Sequence, residues 1–214
     1  MGEKKRGEAL VPWLWTGMIC ALVFLILVIV IRQPAIQAFD RMLIKSLDLI
    51  RTPELISFFK KITNMASSNF LFFLIALFMV YFLLRKKFMP LILLPAVFLI
   101  ERYANSVLKH WVMRNRPPFP HLVHETGYSF PSGHAMNAST VYGLLILLML
   151  PLIKTRWIRV AWAVVGLTLI LLIGFSRPFL RVHYFTDIIA GYCAGGVLIS
   201  LSAIALIFVY NRKR

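Results

Sequence analysis

Residues 176–187 read SRPFLRVHYFTD, a short polar stretch that separates two apolar runs, each long enough to cross a bilayer. Two Arg, one His and one Asp lie within these twelve residues. If the last helix begins near His183, Asp187 lies one turn further along the same face, where it can orient the imidazole and stabilise its charged form. This stretch is therefore predicted to form part of an active site at a membrane boundary.

The composition of the 214-residue chain excludes a soluble globular domain. The chain is 60% hydrophobic and only 15% charged, with a mean hydropathy of +0.79, so it has too few polar residues to cover a globule. Its net charge of +16 comes from basic residues at the ends of apolar runs, where membrane insertion and anionic lipids account for them. We expect the lipid bilayer as its partner, with neither nucleic acid nor an obligatory protein partner.

The pattern of apolar runs predicts an all-α, polytopic membrane protein that forms a single domain over residues 1–214. Residues 1–10 form a polar N-terminus, which we expect to be cytoplasmic. The six predicted transmembrane helices cover residues 11–31, 67–84, 88–108, 132–150, 160–175 and 183–210.

The segment between the first two spans, residues 32–66, differs from the rest because its apolar residues become periodic. They form one stripe, made of Ile36, Phe39, Leu43, Leu47 and Ile50, with charged residues between them. This pattern predicts an amphipathic helix on the outer membrane surface. The sequence Thr52-Pro53-Glu54 then predicts the capped start of a second short helix.

The third predicted span carries polar residues near its end. Glu101, Asn105 and Lys109 share one face at i, i+4 and i+8. Ionisable groups in a span normally face protein or water and mark function. The first two either hold Lys109 in position or take part in the chemistry directly.

The basic residues also predict the orientation of the chain. The short turns at residues 85–87 and 154–159, which carry most weight, are basic on one side only. Further basic residues lie at the termini, namely Lys4, Lys5, Arg6, Arg212, Lys213 and Arg214. We expect a cell-membrane protein with both termini in the cytoplasm and the site on the extracytoplasmic face.

Alternation of six spans brings three polar strings to one side of the membrane. They are Lys109 to Pro117, which has the pattern K-x6-RP; residues 131–134, which are PSGH; and residues 176–187, which have the pattern SR-x5-H-x3-D. Each string alone is a weak signal, whereas the ordered set on one face is highly specific.

These three strings, in this order, resemble the type 2 phosphatidic acid phosphatase family, whose bacterial members are membrane-integral lipid phosphatases. The resemblance covers residues 109–187 by motif, and the six-span layout extends it to the whole chain. It implies a fold of six transmembrane helices and hydrolysis of a lipid phosphate ester.

The residues of the three strings suit phosphate chemistry. Lys109, Arg116 and Arg177 supply three positive charges for a phosphate dianion, and each Arg can bind it through two donors. Ser132 and Gly133 begin a helix, so backbone N–H groups and the helix dipole point at the same anion.

The resemblance implies a division of labour between two histidines. His183, held by Asp187, attacks phosphorus and becomes a phosphohistidine. His134 protonates the leaving lipid oxygen and later activates water. No metal or cofactor is expected, since the basic side chains supply the charge neutralisation that a magnesium ion would provide.

Other polar residues within or near the three strings are interpreted differently. His110, His121, His124 and Glu125 could form a metal cluster, but such a site would compete with the Arg-rich phosphate cradle. Arg114 and Arg181 are interpreted as lipid or salt-bridge partners. Glu125 is a candidate for contact with a headgroup hydroxyl.

Several functional alternatives remain open at this point. A vanadate-dependent haloperoxidase uses a similar anion cradle, but such proteins are soluble. A lipid or anion transporter would also explain intramembrane charge, but it should show an internal repeat and charges at mid-membrane. Within the phosphatases, the substrate is phosphatidylglycerol phosphate or phosphatidic acid, with undecaprenyl diphosphate as the alternative.

Overall fold

The chain is helical throughout the part that the structure describes. This computed structural model describes the backbone of residues 3–211 and the side chains of residues 7–210, so the six terminal basic residues used to predict the orientation lie outside the described side chains. Within this part there are eight α-helices, one 3₁₀ turn and no strand. The helices are α1 Glu3–Val30, α2 Pro34–Ser46, α3 Pro53–Asn64, α4 Ser68–Leu84, α5 Phe88–Val112, α6 Gly133–Met149, α7 Arg156–Phe179 and α8 Phe185–Asn211, with the 3₁₀ turn Leu47–Ile50 between α2 and α3.

The protein is a multi-pass membrane protein, with four or five spans by length and composition. Four helices are long and apolar enough to cross: Gly7–Val30 of α1, α5, α7, and Phe185–Tyr210 of α8. A fifth span results if α3 and α4, bent by 50° at their junction, are counted together. The difference from the predicted six lies in α4 and α6, because helices of 17 residues extend only about 26 Å against a hydrocarbon core of about 30 Å.

Polar residues before α3 and α4 cap these helices with their side chains. The Thr52 side chain accepts a hydrogen bond from the Leu55 N–H at the start of α3, as the sequence predicts. Ser67 does the same for the N–H of Phe70 in α4. These side chains satisfy N–H groups that have no acceptor within their own helix.

Helices α5 and α7 each continue four residues past the predicted end, and both extensions include a site residue. Helix α5 continues to Val112, so Lys109 lies in its last turn rather than in a loop. Helix α7 continues to Phe179 and carries Arg177 in its last turn. A cation in the last turn is favoured by the negative end of the helix dipole, which explains why these polar residues prolong the helices.

Helix α6 forms the centre of the bundle. Eleven of its 17 residues are buried, and it packs against α5, α7 and α8. Its contact with α8 is close: a Cβ built on Gly191 would lie 2.8 Å from the Ser132 carbonyl oxygen and 2.9 Å from the Ala135 Cβ. The absence of a side chain at Gly191 therefore lets α8 pack directly on the start of α6.

The predicted amphipathic segment at residues 32–66 forms α2, the 3₁₀ turn and α3. Its apolar side chains are divided between two environments. Phe39 is 52% exposed and Leu49 is 91% exposed, whereas Phe59 is buried against Phe175 and Phe179 of α7. The segment thus packs on the bundle with one face and presents apolar side chains with the other.

Candidate active site

His183 and Asp187 lie together at the start of α8. Nδ1 of His183 is 3.3 Å from Oδ2 of Asp187, and both side chains are buried. The same carboxylate oxygen accepts the Tyr184 N–H at 2.9 Å. This is a helix-capping contact, because Asp187 is the third residue of α8 and Tyr184 is the residue just before the helix. The helix start thus fixes the carboxylate that orients the imidazole.

The hydrogen bonds of His183 assign its tautomer. Nη1 of Arg116 lies 3.1 Å from Nε2 of His183, and a guanidinium can only donate. Nε2 is therefore the unprotonated nitrogen, and the Nδ1–H donates to Asp187. Burial lowers the pKa of His183 well below 6.5, and the positive charges of Arg177, Arg116 and Lys109 lower it further. The imidazole is neutral at neutral pH, with a nucleophilic lone pair on Nε2.

The three predicted phosphate-binding cations come from three separate elements. Arg177 is 1% exposed, and its Nη1 donates to the Thr63 hydroxyl of α3 at 2.7 Å, while its Nε has no partner among the described residues. Nζ of Lys109 donates to the Tyr128 carbonyl at 2.8 Å. Arg116 lies in the loop after α5 and contacts His183 as described above. These cations surround the imidazole from α5, α7 and the loop.

Glu125 links the remaining members of the cluster. Its carboxylate pairs with Arg116 at 3.3 Å and with Arg177, and its Oε1 is 3.8 Å from Nδ1 of His134. The side chain of His134 is 22% exposed, in contrast to the buried His183. The structure thus brings both predicted catalytic histidines into one cluster of charges, and the buried Arg177 has a counter-ion.

The start of α6 is also part of this cluster. The Ser132 hydroxyl accepts the Ala135 N–H at 3.4 Å, and the Ser132 N–H donates to the Asp187 carbonyl at 3.0 Å. The Ser132 hydroxyl can still donate its own proton. Gly133 and His134 are the first two residues of the helix, so their N–H groups have no acceptor within it. These are the donors that the helix start can offer to an anion.

Ser129 and Asp40 were not predicted as members of the site, and Arg114 was interpreted only as a lipid or salt-bridge partner. The Ser129 hydroxyl donates to Oδ2 of Asp187, and Arg114 donates to Oδ1 at 2.6 Å. Arg114 also pairs with Asp40 of α2 at 2.9 Å, so its interpretation as a salt-bridge partner is correct. Arg181 likewise pairs with Asp48. Asp40 lies four residues from both Ile36 and the buried Ile44. This helical spacing could have placed Asp40 on the buried face of α2.

The other residues considered for function are dispersed. Within residues 7–210, no three His, Cys, Asp or Glu side chains lie close enough to share a metal ion, so His110, His121, His124 and Glu125 do not form a cluster. Glu101 is buried, and neither of its carboxylate oxygens has a partner in the described part of the chain. With Asn105, Lys109 and Gly133 it lines a cavity of about 210 Å³.

Comparison with known proteins gives a consistent set of similarities. The PAP2 superfamily matches residues 90–213. Phosphatidylglycerophosphatase B of Bacillus subtilis is 37% identical over 84% of this chain and 89% of its own length. An undecaprenyl-diphosphatase of Sulfolobus acidocaldarius is 38% identical over 36% of this chain and 33% of its own. The crystal structure of the PAP2-type phosphatidylglycerolphosphate phosphatase of Bacillus subtilis matches 93% of this chain and 97% of its own with a TM-score of 0.82 at 33% identity.

Proposed function

Because this chain belongs to the PAP2 superfamily, we propose that it is a membrane-integral lipid phosphate phosphatase that works through a phosphohistidine. The mechanism rests on one observation about the buried, neutral His183. Its unprotonated Nε2 lies beside a group of cations, and its Nδ1–H donates to Asp187. A neutral nitrogen nucleophile beside fixed positive charge is suited to attack an anionic phosphoryl group.

The first half of the reaction transfers the phosphoryl group to the protein. Nε2 of His183 forms a bond to phosphorus, and the bond from phosphorus to the lipid oxygen breaks. His134 delivers a proton to that leaving oxygen, which departs as an alcohol. The Nδ1–H of His183 stays with Asp187, whose negative charge balances the positive charge that the ring acquires.

The second half returns both histidines to their starting states. The now neutral His134 takes a proton from water, and the water oxygen attacks phosphorus. The N–P bond breaks, and inorganic phosphate leaves. Lys109, Arg116 and Arg177 hold the phosphate oxygens, joined by the N–H groups of Gly133 and His134 and by the Ser132 hydroxyl. No metal or other cofactor enters these steps.

The substrate is proposed to be phosphatidylglycerol phosphate or phosphatidic acid. The 37% identity to a phosphatidylglycerophosphatase over most of both chains supports this choice. The similarity to an undecaprenyl-diphosphatase, over 36% of this chain, supports undecaprenyl diphosphate as a second candidate. The protein is proposed to act without an obligatory protein partner.

The proposed topology has six crossings, with both termini in the cytoplasm and the site outside. The burial of α6 among its neighbours supports a crossing by this short helix, since protein rather than lipid surrounds most of it. Cysteines introduced at Lys86 and at His124 test the orientation in intact cells. An impermeant thiol reagent should label position 124 and leave position 86 unlabelled, and the reverse pattern would invert the topology.

The function is tested with the purified chain in detergent micelles. Phosphate release should be measured from phosphatidylglycerol phosphate, phosphatidic acid and undecaprenyl diphosphate, each with and without excess EDTA. We expect turnover of at least one of the first two lipids, undiminished by EDTA, and inhibition by vanadate. Absence of phosphate release from all three would refute the phosphatase and leave the transporter. Loss of activity that magnesium restores would refute the metal-free mechanism alone.

A further inference from the structure

Arg114 lies between two buried carboxylates that come from distant parts of the chain. Its Nη1 is 2.6 Å from Oδ1 of Asp187, and its Nη2 is 2.9 Å from Oδ2 of Asp40. The guanidinium also stacks on the Tyr184 ring, at 4.0 Å from the centroid. Both carboxylates are 0% exposed, so these pairs are screened little by solvent. The position of Arg114 is therefore fixed from both sides.

Asp40 has a second contact with the start of α8. Its Oδ1 accepts the Thr186 N–H at 3.4 Å, and its Oδ2 accepts the Thr186 hydroxyl. That hydroxyl oxygen in turn accepts Nη1 of Arg114 at 2.7 Å. Asp40 thus belongs to α2 in sequence but is bonded to the helix start that carries Asp187. Through Thr186 and Arg114, this contact links α2 to the carboxylate behind the nucleophile.

The charges in this chain of contacts alternate. Asp187 faces His183, Ser129 and the Tyr184 N–H on one side and Arg114 on the other. Burial opposes the charge of Arg114, but Asp187 and Asp40 outweigh this, and the pKa of Arg114 is raised. Since Arg114 shares its charge between two carboxylates, it withdraws less electron density from Asp187 than it would from a single partner.

We propose that Asp40 is a positioning residue for the phosphatase reaction, acting through Arg114 on Asp187 and so on the nucleophile His183. This inference rests on the proposed function. It gives residues 34–46, whose apolar side chains Phe39 and Met42 are exposed, a direct link to the catalytic pair. The membrane-surface helix is then a part of the active site rather than a connector.

The test compares Asp40→Asn with Asp48→Asn, a change of the same residue type in the same segment. Asp48 is 46% exposed and pairs with Arg51 and Arg181 away from Asp187. The rate of phosphoenzyme formation should fall about tenfold in Asp40→Asn and less than about twofold in Asp48→Asn. KM should stay within about twofold in both, because neither change touches a phosphate-binding cation.

A double-mutant cycle establishes the route. If Asp40 acts through Arg114, adding Asp40→Asn to Arg114→Gln should cost little beyond Arg114→Gln alone. Multiplying losses would overturn the inference, as would a rise in KM without a fall in rate. Equal rates in Asp40→Asn and Asp48→Asn would also overturn it. Wild-type protein without turnover would instead refute the proposed function.

Two further measurements keep the inference testable whatever the outcome of these assays. Thr186→Val removes the hydroxyl that joins Asp40 to Nη1 of Arg114 but keeps both charges and their direct ion pair, so it should reduce the rate about threefold even if Asp40→Asn does not fold. An unchanged rate would contradict the proposal. Titration of His183 by ¹⁵N NMR requires no turnover: Asp40→Asn removes a negative charge and should move its midpoint to lower pH, whereas Asp48→Asn should not.

Discussion

The two ends of the helix bundle carry the same kinds of cation in opposite environments. Helices α5 and α7 begin at one end and finish at the other. Arg85, Lys86 and Arg156, beside their starts, are exposed. At their far ends, Arg177 is 1% exposed and the Arg116 side chain is 7% exposed. Both pair with Glu125, and Arg116 also donates to three backbone carbonyls.

The difference shows what distinguishes a functional cation from one that serves the membrane interface. An exposed Lys or Arg keeps its hydration, so placing it at the membrane interface costs little free energy. Its charge alone is then sufficient to orient the chain in the membrane. A buried guanidinium needs compensation for lost hydration, and the chain supplies it with a carboxylate and carbonyl groups. Among the described residues, the cations that are buried with a carboxylate partner lie at one end, and mutations can test whether that end binds the anion.

The largest effect should come from removing the residue that the buried cations surround. His183→Ala is expected to lower turnover by about 10⁵-fold and to abolish the covalent intermediate, because the group that attacks phosphorus is lost. Trapping the phosphoenzyme with radiolabelled substrate measures both. His110→Ala, at an exposed histidine of α5, serves as the control and should form the intermediate normally. A phosphoenzyme in His183→Ala would disprove the nucleophile assignment.

The next largest effect contrasts the two ends directly. Arg177→Gln should reduce kcat/KM by a factor of about 10² to 10³, since it removes a buried donor to the phosphate. Arg156→Gln, at the other end of the same helix α7, should change it less than about twofold. Turnover on one lipid and the thermal midpoint in detergent are measured for both. Similar losses in the two variants would mean that burial does not distinguish the functional cations.

A smaller, substrate-dependent effect concerns His134, which is partly exposed at the edge of the buried cluster. A lipid alcohol is a poor leaving group and needs a proton, whereas undecaprenyl diphosphate loses a phosphate that needs it far less. His134→Ala should therefore slow a phosphomonoester lipid at least about tenfold more than the diphosphate under single-turnover conditions. Equal losses would assign His134 to the dephosphorylation step or to binding.

The smallest effect concerns the pH at which His183, at the buried end, becomes protonated. The neutral form of His183 attacks, and burial with three nearby cations lowers its pKa well below 6.5. The nucleophile should therefore remain neutral as the pH falls through 6.5, and it should become protonated only in more acidic solution. Titration of ¹⁵N-histidine-labelled protein measures this directly. A midpoint for His183 at or above 6.5 would contradict the electrostatics described here.

The sequence predicted the helical segments and the strings that form the site, because both depend on local pattern. Runs of apolar residues define helices, and Thr52 defines a cap through its own side chain. The pairing of His183 with Asp187 needs only a helical spacing of four residues. Such features can be derived without knowing how the helices pack.

The features that could not be predicted depend on packing between distant segments. Asp40 and Arg114 are 74 residues apart, and Asp40 resembles the solvent-facing acids of any amphipathic helix. The Ser129 contact with Asp187 likewise crosses 58 residues. The ends of α5 and α7 were placed too early because Lys109 and Arg177 look like loop residues in a membrane protein. In the structure both residues lie in the last turn of a helix, which corrects that interpretation.

The contact at Gly191 has a consequence for how variants of this chain should be interpreted. Helix α8 carries Asp187 and begins just after His183, and α6 carries His134. The distance between the two helices, and so between the two histidines, depends on Gly191, where there is no room for even a methyl group. A substitution there removes no reactive group and leaves every motif intact. It would nevertheless separate the two histidines and abolish activity. Loss of function in a natural variant is thus no proof that the altered residue takes part in chemistry, and an intact motif is no proof of an active protein.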